Sequence, residues 1–232
     1  MTAIQTIAFD ADDTLWHTER FFKLTQARFE ALLAPHASGT ALHERLLEAE
    51  RRNIGRYGFG VKGFVLSMIE TALDVTDNSV PGDVIAELIA AGQDMLAHPI
   101  DLLDGVADTL PELSGAFHLI VITKGDLLDQ ERKIAQSGLG KWLKAAHVVS
   151  DKTPQTYLNH LDGCPGGVRG AMMVGNSMKS DVLPALQAGA WATFIPQDLA
   201  WDLEHAEPPQ NAPRYRQITS MAELPKLLAA LT

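Results

Sequence analysis

Cysteine is almost missing from this 232-residue chain: Cys164 is the only one, so no intrachain disulfide can form. It lies in the turn signal Gly163-Cys164-Pro165-Gly166-Gly167, where an inert thiol is expected. Positive charge is also scarce, with 19 Lys and Arg against 29 Asp and Glu and a formal net charge of -10. That balance argues against nucleic acid or an anionic membrane surface as a general partner, but not against a small anionic substrate at a locally positive site. No apolar stretch is long enough to span a bilayer. The N-terminus lacks the basic start and apolar segment of a secretory signal, so a cytoplasmic protein is expected. Internal repeats and low-complexity tracts are lacking. The hydrophobic fraction of 46% is enough for a sizeable core without disulfide or structural metal. The length suits one large domain or one domain with a smaller insertion. Nothing in the sequence bears on oligomeric state.

What the chain does contain is an alternation of strand and helix signals. Apolar runs with the character of buried strands occur at Ile4 to Phe9, Phe117 to Thr123, His147 to Ser150, Ala171 to Gly175 and Trp191 to Ile195. Helical patterns at Leu127 to Ser137, Pro154 to Leu161 and Lys179 to Ala188 separate the later runs, which predicts parallel strands with crossover helices. About a hundred residues part the first run from the second, and they read as successive helices: Thr18 to Leu33, Ala41 to Arg52, Phe64 to Leu73 and Val84 to Leu96. A helical block inserted after the first strand of an α/β sheet is expected to be a cap. The boundaries expected are residues 1-15 and 101-232 for the α/β core domain, with a Rossmann-like mostly parallel sheet, and 16-100 for the helical cap. A Pro-rich loop, Glu207 to Pro213, precedes a last short strand and a terminal helix, Met221 to Leu231.

The first strand ends abruptly at Asp10, with Asp12, Asp13 and Thr14 directly behind it. Three carboxylates within four residues repel one another unless positive charge sits among them. In open α/β sheets, ligands bind at the carboxyl ends of strands. An Asp-rich turn would explain this cluster alone equally well. The later strands tip the balance, because Thr123, Lys152 and the pair Asn176 and Asp181 also lie at or just beyond predicted strand ends. A carboxylate nucleophile has to be aimed at an electrophile. A cation, Lys152 or a metal, has to offset the carboxylates and an incoming phosphate.

Taken in order, Asp10-Ala11-Asp12-Asp13-Thr14-Leu15, Ile122-Thr123, Lys152 and Gly175-Asn176-Ser177-Met178-Lys179-Ser180-Asp181 resemble the four motifs of the haloacid dehalogenase-like (HAD) hydrolase superfamily, in its branch with a helical cap after the first motif. The similarity spans nearly the whole chain. It implies Asp10 as the nucleophile that forms an aspartyl-phosphate, and Asp12 as the acid and base for leaving group and water. Thr123 and Lys152 would hold the phosphoryl group, Lys152 tying it to Asp10. Mg2+ would be bound by Asp10, the backbone carbonyl of Asp12, Asn176 and Asp181.

Three positions depart from the family pattern. Asp13 stands where Gly is common and adds negative charge beside the nucleophile. Lys124 replaces a frequent Asn after Thr123 and is a candidate second phosphate contact or a solvated side chain. Asn176 stands where phosphatases of the family place a metal-binding Asp, so weaker Mg2+ affinity is expected. The function implied is Mg2+-dependent hydrolysis of a small phosphorylated metabolite. The alternatives are a metal-independent 2-haloacid dehalogenase, which Asp12 disfavours because a halide needs no proton donor, and a catalytically weak HAD-like binding or regulatory protein, which Asn176 keeps open.

Other signals are read as structural. Gly58 to Gly63 matches G-x-G-x-x-G but follows no apolar strand, so a joint between cap helices is expected. Arg51, Arg52, Arg56 and Lys62 form the one basic patch in the sequence, either a solvated face or a contact for an anionic substrate. His17 and His118 have no companions at metal-ligand spacing. Trp16 suits the site entrance and the core equally.

Overall fold

The computed structural model describes residues 3–231. Each apolar run becomes a strand: β1 (Thr6–Phe9), β2 (His118–Lys124), β3 (Ala145–Val149), β4 (Ala171–Gly175) and β5 (Trp191–Phe194), with β6 (Tyr215–Gln217) after the Pro-rich loop. They form one sheet in the order β3-β2-β1-β4-β5-β6, and every pairing is parallel. The helices among the described residues are α1 (Glu19–Leu33), α2 (Gly39–Tyr57), α3 (Val61–Val75), α4 (Gly82–Ala97), α5 (Val106–Ser114), α6 (Leu127–Ser137), α7 (Pro154–Leu161), α8 (Leu183–Ala188) and α9 (Leu224–Leu231).

Side chains alternate across the sheet. Ile7, Phe9, Leu119, Val121, Met172 and Val174 enter one apolar cluster with residues of α5 and α9. Ala8, Ile120, Ile122 and Met173 enter another with α7 and α8. Both faces are covered, which is why the strands read as continuous apolar runs. Strand order reverses at β1, with β2 on one side and β4 on the other, and this switch point is where open α/β sheets leave a crevice at their carboxyl ends.

The chain divides into two compact units. One comprises the residues through Glu19, Ile100–Lys124 and Gln130 onward; the other comprises Arg20–Pro99 with Gly125–Asp129. In the first, the segments that leave and rejoin the sheet run side by side, with Leu103 N–H donating to Leu15 C=O at 3.1 Å and His17 N–H to Asp101 C=O at 2.9 Å. The second has its own core of Phe29, Leu33, Leu42, Leu46, Phe64, Met68, Ala72 and Leu88. There the G-x-G-x-x-G stretch is a joint: Gly58 closes α2 and Gly60 precedes α3, both with positive φ. Arg51, Arg52 and Arg56 are exposed on α2, and Lys62 pairs with Asp126 at 2.8 Å. Among the described residues, no helix is long and apolar enough to cross a membrane.

Candidate active site

The three clustered carboxylates are separated by giving each its own partners. Asp10, directly after β1, is fixed by its N–H to Val174 C=O at 2.9 Å, and one carboxylate oxygen accepts from Lys152 Nζ. Asp12 accepts from Trp16 Nε1 at 2.8 Å, Thr18 Oγ1 at 2.7 Å, Lys133 Nζ at 3.0 Å and Gln130 Nε2 at 3.0 Å. Asp13, in the left-handed region at φ 55, turns its carboxylate to the N–H groups of Thr18 (2.9 Å) and Glu19 (2.8 Å) at the start of α1. A carboxylate there meets orphan helix-terminal donors.

Electrostatics follow from these partners. Burial pushes the Asp10 carboxyl up to about 7, against the pull of Lys152 and with Asp181 adding repulsion. Burial acts on Asp12 in the same sense, but Lys133 and the hydrogen bonds from Thr18 and Trp16 outweigh it and hold Asp12 below the usual carboxylate range. Asp12 therefore rests ionised.

Lys152 follows β3 and bridges two carboxylates, donating to Asp10 and, at 2.7 Å, to Asp181 Oδ1. The other oxygen of Asp181 accepts from Ser177 N–H at 2.9 Å. Asp181 is delivered by a five-residue π-turn, Met178–Val182, where the sequence pattern predicts the first part of a regular helix. Such bulges recur at functional sites because the extra residue re-aims side chains. Tyr157 on α7 braces the turn, its hydroxyl donating to Ser180 C=O at 2.8 Å.

Asn176 reaches the same place from the end of β4. With its amide nitrogen assigned toward the surrounding acceptors, it donates to Asp10 Oδ2 at 3.2 Å, Asp12 C=O at 3.1 Å and Thr14 Oγ1 at 3.2 Å. Thr123 and Lys124 end β2. The Thr123 hydroxyl accepts from Gln130 Nε2 at 2.8 Å, and Lys124 Nζ donates to Glu204 at 2.6 Å and Ser180 Oγ at 2.8 Å. The structure thus brings Asp10, Lys152, Asn176 and Asp181 into one hydrogen-bonded cluster, with Asp12 and Thr123 joined through Gln130. Cys164 stands apart, its thiol against His160 C=O at 3.2 Å and pushed up by burial.

Gln130, Lys133 and Glu204 join this cluster without being singled out in the sequence, and Ser177 and Ser180 lie inside the fourth motif without a role expected for them. For Gln130 and Lys133 the available signal was their three-residue spacing on the predicted helix α6, which puts both on one face; nothing local marked Glu204.

Residues 4–189 match the family model for haloacid dehalogenase-like hydrolases. The chain belongs to that family. A haloacid dehalogenase-like hydrolase from Xanthomonas campestris is 36% identical, with a TM-score of 0.88 over 99% of this chain and 92% of that one. A HAD-hydrolase from Bacillus subtilis bound to magnesium is 18% identical, with a TM-score of 0.65 over 97% and 99% of the two chains. A 2-haloacid dehalogenase from Pseudomonas syringae is 23% identical, with a TM-score of 0.63 over 99% and 100%. The last two show the fold alone. No curated protein sequence matches this chain.

For a HAD-like hydrolase the donor set is the test of a metal. Asp10 Oδ2, Asp12 C=O and the Asn176 amide converge within 3.2 Å, and oxygens of these types suit a hard cation. A half-turn of the amide presents Oδ1 in place of nitrogen. The residues fit Mg2+, but with little negative charge: Asp10 is the carboxylate of the set, while Asp181 has its two oxygens on Lys152 and Ser177 N–H. Among the described residues, no group of three or more His, Cys, Asp or Glu side chains is placed to hold a metal ion.

Proposed function

We propose that this HAD-like hydrolase is a phosphatase that cleaves a small phosphomonoester through an aspartyl-phosphate on Asp10, with the helical unit as its cap. The observation that carries the reading is Asp12, a second carboxylate two residues beyond the nucleophile and held by side chains of the same cluster. Lys152 keeps Asp10 Oδ1 fixed and leaves Oδ2 turned toward Asn176. Attack by a carboxylate oxygen on phosphorus then displaces the alkoxide. Asp12 rests as the base, which is the form needed to take a proton from the water that hydrolyses the aspartyl-phosphate. To serve as acid in the first step it must first take up a proton, which loosening of the Lys133, Thr18 and Trp16 contacts would favour, and that proton then goes to the leaving alkoxide. Bound Mg2+, held by Asp10, Asp12 C=O and Asn176, would supply positive charge against the phosphoryl oxygens.

The site favours one competing reading on a specific ground. With Asn176 in the donor set the site offers little negative charge to a metal, which suits metal-independent 2-haloacid dehalogenation, in which Asp10 would displace a halide. Hydrolysis of p-nitrophenyl phosphate with Mg2+ and with EDTA, run beside chloride release from 2-chloropropionate, separates the two. Phosphate release that EDTA abolishes is expected, and Asp10→Asn is expected to end it while the circular dichroism spectrum stays unchanged. Halide release alone would replace the phosphatase reading, and neither product would favour a binding or regulatory role.

A further inference from the structure

Lys124 and Glu204 form an ion pair at the carboxyl edge of the sheet. Lys124 Nζ donates to Glu204 Oε1 at 2.6 Å and to Ser180 Oγ at 2.8 Å. Glu204 Oε2 accepts from Ser177 Oγ at 2.5 Å, and that hydroxyl accepts from Ser180 N–H at 2.9 Å. Three separate stretches of chain thereby close one ring. Lys179 Nζ fixes the segment that carries Glu204 by donating to Leu203 C=O at 2.7 Å. The two side chains are only 12% and 18% exposed, so water screens the pair weakly. The ring also adjoins the support of the nucleophile. Ser177, which bonds Glu204 through its hydroxyl, donates its N–H to Asp181, and Asp181 shares Lys152 with Asp10.

An unpaired ammonium beside a phosphoryl site recruits anions. Here the protein supplies the anion itself. An incoming carboxylate that took Lys124 would strand a mostly buried Glu204, and leaving one member of a buried pair uncompensated is unfavourable. Burial and the Lys124 ammonium act in opposite senses on Glu204, and the ammonium prevails, keeping it ionised.

We propose that Glu204 is a specificity-determining residue: by holding Lys124 it denies that ammonium to a second anionic group, so the site prefers phosphomonoesters whose remaining part is uncharged. The inference rests on the phosphomonoester reading above. A matched pair of esters tests it, ethyl phosphate against phosphoglycolate, which differ by a carboxylate. Calorimetric affinities and kcat/KM are measured for both with the wild-type protein, Glu204→Gln, Lys124→Met and the double variant, each verified as folded by circular dichroism. Wild type is expected to favour ethyl phosphate. Glu204→Gln removes the carboxylate that neutralises Lys124 and should shift the ratio at least about tenfold toward phosphoglycolate, and adding Lys124→Met should cancel that shift. Lys124→Met alone leaves the Glu204 carboxylate without its ammonium and should move the ratio the other way, which tests the idea even if Glu204→Gln does not fold. A wild-type preference for phosphoglycolate, an unmoved ratio, or Lys124→Met weakening both esters equally would overturn it. If p-nitrophenyl phosphate is not hydrolysed, the phosphatase reading fails on its own, while the affinity ratios for the two esters still decide the role of Glu204.

Discussion

Gly175, the last residue of β4, is a position where one added methyl group collides with a buried site side chain. A Cβ built there would lie 2.2 Å from Asp181 Oδ2, 2.4 Å from its Cγ and 2.7 Å from its Cβ. Three atoms of one side chain are hit, so tip rotation gives no relief. Asp181 is 1% exposed, with its oxygens on Lys152 Nζ at 2.7 Å and Ser177 N–H at 2.9 Å. Gly175→Ala must therefore push the carboxylate out of both bonds or move β4 against the π-turn. Overpacking typically costs about 1–3 kcal/mol, and losing one partner of a buried ion pair about 3–5 kcal/mol. One displacement causes both, so they overlap, and the stiffer unfolded chain returns about 0.4–1 kcal/mol. A net loss of about 3–4 kcal/mol is expected. Urea denaturation should show the midpoint falling by roughly 1.5–2 M at unchanged slope, taking a slope of about 2 kcal/mol per M. Because Lys152 orients Asp10, p-nitrophenyl phosphate turnover should fall by about 100-fold, the size expected for a misplacement near 1 Å. A Gly175→Ala protein within about 0.5 kcal/mol of wild type and fully active would refute the reasoning.

Two further substitutions probe the charges of the cluster. Lys152→Met leaves Asp10 and Asp181 facing each other without an ammonium and should cost about 3–5 kcal/mol at pH 8. Carboxyls whose folded pKa lies above the unfolded value contribute stability that is present at low pH and lost as pH rises through the folded pKa. Burial already places Asp10 at about 7 with Lys152 present, so the penalty should shrink between pH 8 and pH 5; equal penalties at both in urea denaturation would reject this. Asn176→Asp puts a second carboxylate against Asp10 Oδ2 and Asp12 C=O. It should lower the melting temperature without metal and raise Mg2+ affinity at least about tenfold by calorimetry, and an affinity no higher than wild type would exclude Asn176 from the donor set.

The sheet and the order of its motifs were legible because buried parallel strands advertise themselves as apolar runs, and each run stops where a polar group is delivered. The bounds of β4, α6 and α7 coincide with their sequence patterns. Lys179 to Ala188 read as plain helix because apolar spacing over a few residues does not distinguish an i→i+5 turn from α-helix; the π-turn is set by what Asp181 must reach. Asp13 read as extra negative charge at the nucleophile, yet its carboxylate caps α1, since torsions rather than position choose where an Asp points. Lys133 and Gln130 meet Asp12 across 121 and 118 residues of chain, and Glu204 meets Lys124 across 80. Such partners are created by the fold: the spacing of Gln130 and Lys133 marks a shared helix face but not what it meets, and nothing local marks Glu204.

The place of β1 in the sheet bears on how the chain is made. Its neighbours are β2 and β4, and the pairing partner of Thr6 on β4 is Ala171, 165 residues later (171 − 6). At a translation rate of about 5–20 residues per second, roughly 8–33 s pass between synthesis of the two. The other partner of Thr6 comes sooner, His118 on β2 lying 112 residues after it (118 − 6); until then Ile7 and Phe9 have no strand to pair with, whereas the residues that pack among α1 to α4 are all made before β2. The inserted helices are synthesised before any strand that β1 pairs with. Aggregation of a waiting apolar segment during synthesis, more than weakness of the finished fold, is the hazard this topology carries.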